Sequence, residues 1–220
     1  MGLGSFPIDL ILFGMIALFL VLRLRSVLGR RTGFERPAEP AVAPPGSPVI
    51  EGRAEPVPEA PAPRRTLPDP ASPAGQALAA MRGIDHGFDP ISFLEGAERA
   101  FRLIVTAYAA GDRATLAGLL GPETVKAFEA AIATREAAGE AQQSEIRAIL
   151  ETAITEATLA GTRAAITVRI VSDQIAFTRN AKGAIVQGTE AVTEIIDLWT
   201  FERDLASADP AWRLVAAGQS

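Results

Sequence analysis

The stretch ILETAITEATLAGTRAAITVRIV, from Ile149 to Val171, decides the fold. Two runs rich in β-branched residues, Ile149–Leu159 and Arg163–Val171, meet at Ala160-Gly161-Thr162, which reads as a hairpin. Ile166, Val168 and Ile170 alternate with Thr167 and Arg169, the period of a strand buried on one face. Toward the C-terminus, Ile175–Thr178 continues the sheet and Asn180–Gly183 turns it. Ile185–Gln187, Ile195–Arg203 and Trp212–Ala216 read as the remaining strand segments.

Before Gly139 the period is helical. Asp89-Pro90 opens a helix whose Phe93, Ala97, Phe101, Ile104, Val105 and Tyr108 form one apolar face. Gly111 ends it, and Asp112 can cap a short helix carrying Leu116, Leu119 and Leu120. Gly121-Pro122 breaks the chain again, and Glu123–Ala138 reads as a further helix with Val125, Phe128 and Ile132 inward. An Ala-rich segment, Ala74–Asp85, adds a short helix in front. Helices first and an antiparallel sheet second predict an α+β fold, with helices packed on one face of a curved sheet. A strongly curved sheet around helices makes a cone with an apolar pocket.

The N-terminal part is of a different kind. Leu10 to Leu22 carries no charge, and Arg23, Arg25, Arg30 and Arg31 follow it. Residues 6–24, with Phe6, Leu10, Phe13, Ile16, Phe19 and Leu22 along them, are long enough for a transmembrane helix. The basic flank predicts a single-pass signal anchor at an inner membrane, with the C-terminal side in the cytoplasm. A cleaved signal peptide would carry its basic residues ahead of the apolar run instead. Twelve of the 16 prolines then fall between Arg36 and Pro73, so residues 25–73 read as basic flank and disordered tether. The domain is expected over residues 74–220.

Composition narrows function. The chain has 220 residues, a net charge of −5, one histidine and no cysteine. Disulfides, thiolate metal sites, cysteine nucleophiles and two-histidine metal motifs are excluded. Residues 85–220 hold 12 basic and 19 acidic side chains, a poor footprint for nucleic acid. No phosphate loop, nucleophile elbow or Ser/His/Asp set is present. Asp85, His86 and Asp89 form a D-H-x-x-D cluster too small for a metal site. No catalytic residue, cofactor or metal is therefore assigned.

Several motifs fall in a familiar order: FDPISFLEGAERAF (Phe88–Phe101), Gly111-Asp112, GPETVKAFEAAIATRE (Gly121–Glu136), ITVRIVS (Ile166–Ser172), DLWTFERD (Asp197–Asp204) and DPAWRLVA (Asp209–Ala216). This resembles the C-terminal domain of the forty-four-kilodalton subunit of the mitochondrial inner-membrane translocase. It is more closely similar to the bacterial TimA-type membrane-anchored adaptors. Ala211 departs from the family's usual Asn. The resemblance implies a cone like nuclear transport factor two, or cystatin, with an apolar pocket. It also implies adaptor work with a protein partner, a chaperone or translocon component, while the anchor meets membrane lipid, and it implies a bacterial setting for that inner membrane. A lipid- or apolar-ligand-binding module is the second reading, and a pocket enzyme a distant third.

Candidate pocket or structural residues are Phe101, Tyr108, Asp197, Trp199, Phe201, Arg203 and Trp212. Ile195, Asp197, Trp199 and Phe201 share one strand face, which sets Asp197 among large apolar groups. It reads first as one end of a buried ion pair with Arg169 or Arg203, and second as a general base. Trp199 and Trp212 read as core before ligand contact. Tyr108 ends the apolar helix face with its hydroxyl at the rim.

Overall fold

The computed structural model describes residues 62–219. The anchor expected at 6–24, its arginine flank and most of the proline-rich segment lie outside these residues. Among the described residues no helix is long and apolar enough to cross a membrane. The elements run β1 (Arg64–Thr66), α1 (Pro73–Ile84), α2 (Pro90–Ala110), α3 (Arg113–Leu119), α4 (Pro122–Ala137), β2 (Ala141–Ala160), β3 (Arg163–Arg179), β4 (Ile185–Asp204) and β5 (Arg213–Gln219).

The helix boundaries follow local chemistry. Ser72, Asp89 and Asp112 each cap a helix, their side chains accepting from the N–H of Gly75, Ser92 and Thr115. Prolines occupy the first turn of α1, α2 and α4, where a missing N–H costs nothing. Gly111 closes α2 in the left-handed region at φ 73°, a conformation that disfavours any residue with a Cβ.

The five strands form one sheet in sequence order, antiparallel except for the β1–β2 pair. Helices cover one face. Leu94, Phe101 and Ile104 of α2, Met81 of α1, Leu116 of α3 and Ile132 of α4 are all fully buried. They join Ile166, Val168 and Ile170 of β3, Phe201 of β4 and Leu214 of β5 in a single core. The alternation read at Ile166–Ile170 is thus the floor on which α2 sits. Gly121 N–H donates to the Leu214 carbonyl at 2.7 Å, and Thr124 Oγ1 donates to the Val215 carbonyl at 2.9 Å, tying α4 to β5.

The strands are longer than expected. β2 begins at Ala141, not Ile149, because residues 141–148 pair with the far half of β3, from Arg179 back to Asp173. Their polar composition gives no local strand signal; cross-strand pairing decides them. β3 runs unbroken through Ser172-Asp173-Gln174. The expected segments Ile185–Gln187 and Ile195–Arg203 are one strand, β4, interrupted by a bulge. Between the pairs Gln174↔Thr193 and Ala176↔Thr189, Glu190–Val192 stand opposite Ile175 alone, and such bulges bend a strand. Gly188 sits beside the bulge at φ 77°, where a Cβ would fall 2.1 Å from the Ala176 carbonyl oxygen. β5 starts after Trp212 and runs on to Gln219.

The end of the expected tether is also ordered. Arg64–Thr66 pair in parallel with Glu151–Ala153. Arg65 is held by a fork: Nε to Glu98 Oε1 at 2.9 Å and Nη2 to Glu98 Oε2 at 2.8 Å. Its Nη1 reaches Glu95 at 3.1 Å. One well-placed charge pair orders a stretch that composition alone reads as disordered.

Phe101 is fully buried, its ring edge-to-face with Trp199 at 4.7 Å. Phe101→Ala is expected to lower stability by about 3–5 kcal/mol, read from urea unfolding of the purified chain. A loss of well under about 1 kcal/mol, the scale of a surface change, would contradict the seating of α2 on β4.

Candidate functional site

Phe88, Phe93, Phe201, Trp199 and Phe101 form a run of aromatic contacts from the surface into the core. Phe93 lies between three rings: Phe88 at 6.3 Å, Phe201 at 6.0 Å and Trp212 at 4.8 Å. Trp199 then contacts Phe201 at 6.3 Å and Phe101 at 4.7 Å. The tilted and edge-on geometries suit the ring quadrupoles.

Where this run meets solvent there is an open cleft of about 430 Å³. Its walls are the first half of α2, the loop 85–89, the end of α3, the end of β4 and Trp212 ahead of β5. Phe93, Phe201 and Trp212 supply its apolar floor, and Leu103, 53% exposed, its lip. Arg203 donates through Nη1 to Asp85 Oδ2 at 2.9 Å. Its Nε is buried and has no hydrogen-bond partner, a rare state for a charged donor. Exposed Arg99 stands on the same rim.

The remaining titratable groups near the cleft are committed. Asp89 caps α2, the Ser92 N–H holding its carboxyl below the usual range, and lies 3.6 Å from Arg82. His86 Nδ1 lies 3.2 Å from the Arg82 carbonyl. Among the described residues no group of three His, Asp or Glu side chains can hold a metal ion.

Of the seven candidate residues, Phe201, Arg203 and Trp212 line the cleft. Phe101 and Trp199 are core. Tyr108 belongs elsewhere: its ring meets Phe128 at 5.0 Å and lies under the Arg135 guanidinium at 5.1 Å. Burial raises its pKa above the ordinary phenol value. Asp85, Phe88, Phe93 and Leu103 were not assigned to a site from sequence. The signal was present in Phe88 and Phe93, which flank the Asp89-Pro90 helix start, but pairing with Trp212 needs the tertiary fold.

Asp197 corrects an expectation. It is buried, on the face shared with Trp199 and Phe201, but neither proposed arginine reaches it. Arg169 pairs with Glu151 at 2.9 Å and Arg203 with Asp85. Asp197 instead accepts from Gln174 Nε2 at 3.2 Å, and that amide also donates to Ser172 Oγ at 2.9 Å. Burial pushes its carboxyl up to about 6, against the opposing pull of hydrogen bonds from Gln174, Gln219 and Trp199. The strand alternation placed the carboxylate correctly; Arg169 of β3 points to the other face, where it meets Glu151, while Arg203, further along β4 itself, is held at the cleft by Asp85.

A second open cleft, about 550 Å³, lies between the end of α2, the start of β2, Ile175 and Phe177 of β3 and Glu190 of β4. It depends on the strand at 141–148 and was not legible before that strand was seen.

The sequence model of the Tim44-like domain family matches residues 74–219. No curated protein matches the chain. Among solved structures, the intermembrane space region of chloroplast protein ARC6 shares 12% identity at a TM-score of 0.41, covering 57% of this chain and 95% of its own. A putative dehydratase of the NTF2-like family from Streptomyces avermitilis shares 14% at 0.36, covering 60% and 97%. TsrD from Streptomyces laurentii shares 14% at 0.27, covering 60% and 90%.

The raised carboxyl of Asp197 has a stability consequence. The folded state holds this proton more tightly than the unfolded chain, so the contribution of Asp197 to stability is full below the unfolded value of 3.8 and is lost as pH rises through about 6. The loss above that is about 3 kcal/mol. Asp197→Asn keeps an acceptor for Gln174 without the charge. It should raise the melting temperature at pH 7.5, leave it unchanged at pH 3.5 and flatten the profile between, as measured by thermal melts. A variant that melts lower at pH 7.5 would show the carboxylate to be stabilising.

Proposed function

The chain belongs to the Tim44-like domain family, and from that premise we propose that it is a non-enzymatic adaptor. In this reading residues 6–24 hold it in the inner membrane. The domain hangs on the cytoplasmic side and docks a protein linked to translocation, a chaperone or a translocon component. The family's resemblance to the mitochondrial translocase subunit supports the partner class.

The single observation that carries the docking role is the cleft between α2, the loop 85–89 and Trp212. It combines four aromatic rings, an exposed leucine lip and Arg203 with a buried unpartnered Nε. Rigid aromatic anchors beside an arginine are the composition of binding hot spots. Its carboxylates are each bound to an arginine or a helix N-terminus, so neither stands ready as a general base. That supports binding over catalysis.

A second reading, an apolar-ligand module, draws on the same aromatic floor. It predicts a lipid that co-purifies and is seen by native mass spectrometry, whereas the adaptor predicts a stoichiometric protein.

Crosslinking from intact membranes with the full chain should recover a chaperone or translocon component. Leu103→Asp places a charge on the exposed lip, leaves the melting temperature within a few degrees, and should cut that recovery by about tenfold or more. Recovery of neither class of protein, or equal recovery by the variant, would sink the proposal.

A further inference from the structure

β1 lies on the opposite edge of the sheet from β5, paired with β2. β2 is 20 residues long, and among the described residues its outer edge is paired only at Glu151–Ala153. The family match begins at residue 74, so β1 lies ahead of the matched residues, within the same compact unit, which begins at Ala62. The matched residues thus present a strand edge, and a short piece of chain ahead of them occupies it.

The occupancy has a readable chemistry. Arg65 places its guanidinium between β2 and α2, where Glu98 takes it as a bidentate fork and Glu95 adds a third contact. Glu98 is only 8% exposed, and its Oε1 also accepts from Thr152 Oγ1 at 2.8 Å. Thr152 is itself fully buried and sits opposite Arg65 in the strand register. Backbone pairing thus sets the depth at which an arginine meets a pre-positioned carboxylate. A lysine could match the charge but not the fork.

The pairing is also short. Pro63 and Pro68 bracket β1. Successive N–H groups of a strand point to opposite sides, so of these two positions, one odd and one even, at most one withholds a bond from β2. β2 bulges on both sides of the pairing, between Ile149 and Glu151 and between Ile154 and Glu156, which confines a regular ladder to the stretch that β1 uses.

We propose that the β2 edge at Glu151–Ala153, with Glu95, Glu98 and Thr152, is an arginine-reading strand-addition site. β1 fills it in cis, and its trans occupant is an extended, arginine-bearing segment of another protein. The mode is β-augmentation, in which main-chain bonds give affinity and one side-chain socket gives selectivity. The cis strand raises the threshold for the trans peptide because it competes at high effective concentration. This inference does not depend on the cleft or on the adaptor reading.

The test uses the full chain and a fluorescent peptide of residues 62–70 as the probe. Wild type, with its edge filled, should bind the peptide weakly by anisotropy. Arg65→Ala should release β1, seen as faster amide exchange at Thr152 and Ala153, and bind the peptide about tenfold or more tightly than wild type. A peptide with Lys in place of Arg65 should lose about tenfold in affinity. Adding Glu98→Gln to Arg65→Ala should abolish the gain. Arg65→Lys, which keeps a cation beside Glu98, repeats the comparison should the alanine variant not fold.

Equal binding to wild type and released variants would overturn the proposal. So would no binding to released variants, or undiminished protection of β1 in both. Wild-type dimers joined by exchanged β1, seen by sedimentation, would also overturn it, since the occupant would then be a second copy.

Discussion

The structure rests on one seam, the apolar face of α2 laid along the alternating faces of β3 and β4. Phe93, Ala97, Phe101 and Ile104 recur at helical spacing, while Ile166, Val168, Ile170, Trp199 and Phe201 recur at strand spacing. Both rows are buried because they cover each other. With a period of 2 on the sheet side, a slip of one residue would turn Thr167 and Arg169 inward and empty the core. Register and fold are therefore one constraint. The cleft is the place where this seam opens to solvent, and the Arg65 socket lies on the other flank of the same helix.

Buried polar groups along the seam are handled in two ways. Glu98 is nearly buried, and it is matched by a bidentate guanidinium and a hydroxyl. Removal of one partner from such an arrangement leaves an uncompensated charge, which makes it specific as well as stable. Asp197 is matched only by neutral donors. Amides and an indole stabilise a carboxylate less than a cation does, so desolvation prevails and the group keeps its proton to higher pH. The first arrangement fixes geometry; the second makes the fold sensitive to pH.

Much of this was legible in the sequence, for reasons that differ by element. Helix ends were legible at Asp89, Asp112 and Gly111 because these residues act on their own backbone within a few positions. The hairpin at Gly161 and the inward face of β3 were legible because burial on one side writes a period of 2. The start of β2 was not, since Gln142, Gln143 and Ser144 are held by strand partners more than 30 residues away. β1 was hidden for the same reason: Arg-Arg-Thr between prolines becomes a strand only because Glu98 lies 33 residues along the chain. The Asp197 reading placed the side chain on the right face but misjudged its partners. The alternation that puts Asp197 inward also puts Arg169 outward.

The cleft and the strand-addition edge differ in what they ask of a partner. The cleft presents rings already locked in mutual contact, so an occupant gains by covering apolar surface without ordering its host. Its rim is fixed by the ion pair of Asp85 with Arg203. The β2 edge instead offers strand backbone beside a single deep carboxylate, that of Glu98, and it asks its occupant to become a strand. That cost falls on the incoming chain. The short β1 shows that one arginine and three paired residues meet it when the ends are tethered. An untethered occupant must find the difference in side-chain contacts of its own, because β2 bulges on both sides of Glu151–Ala153.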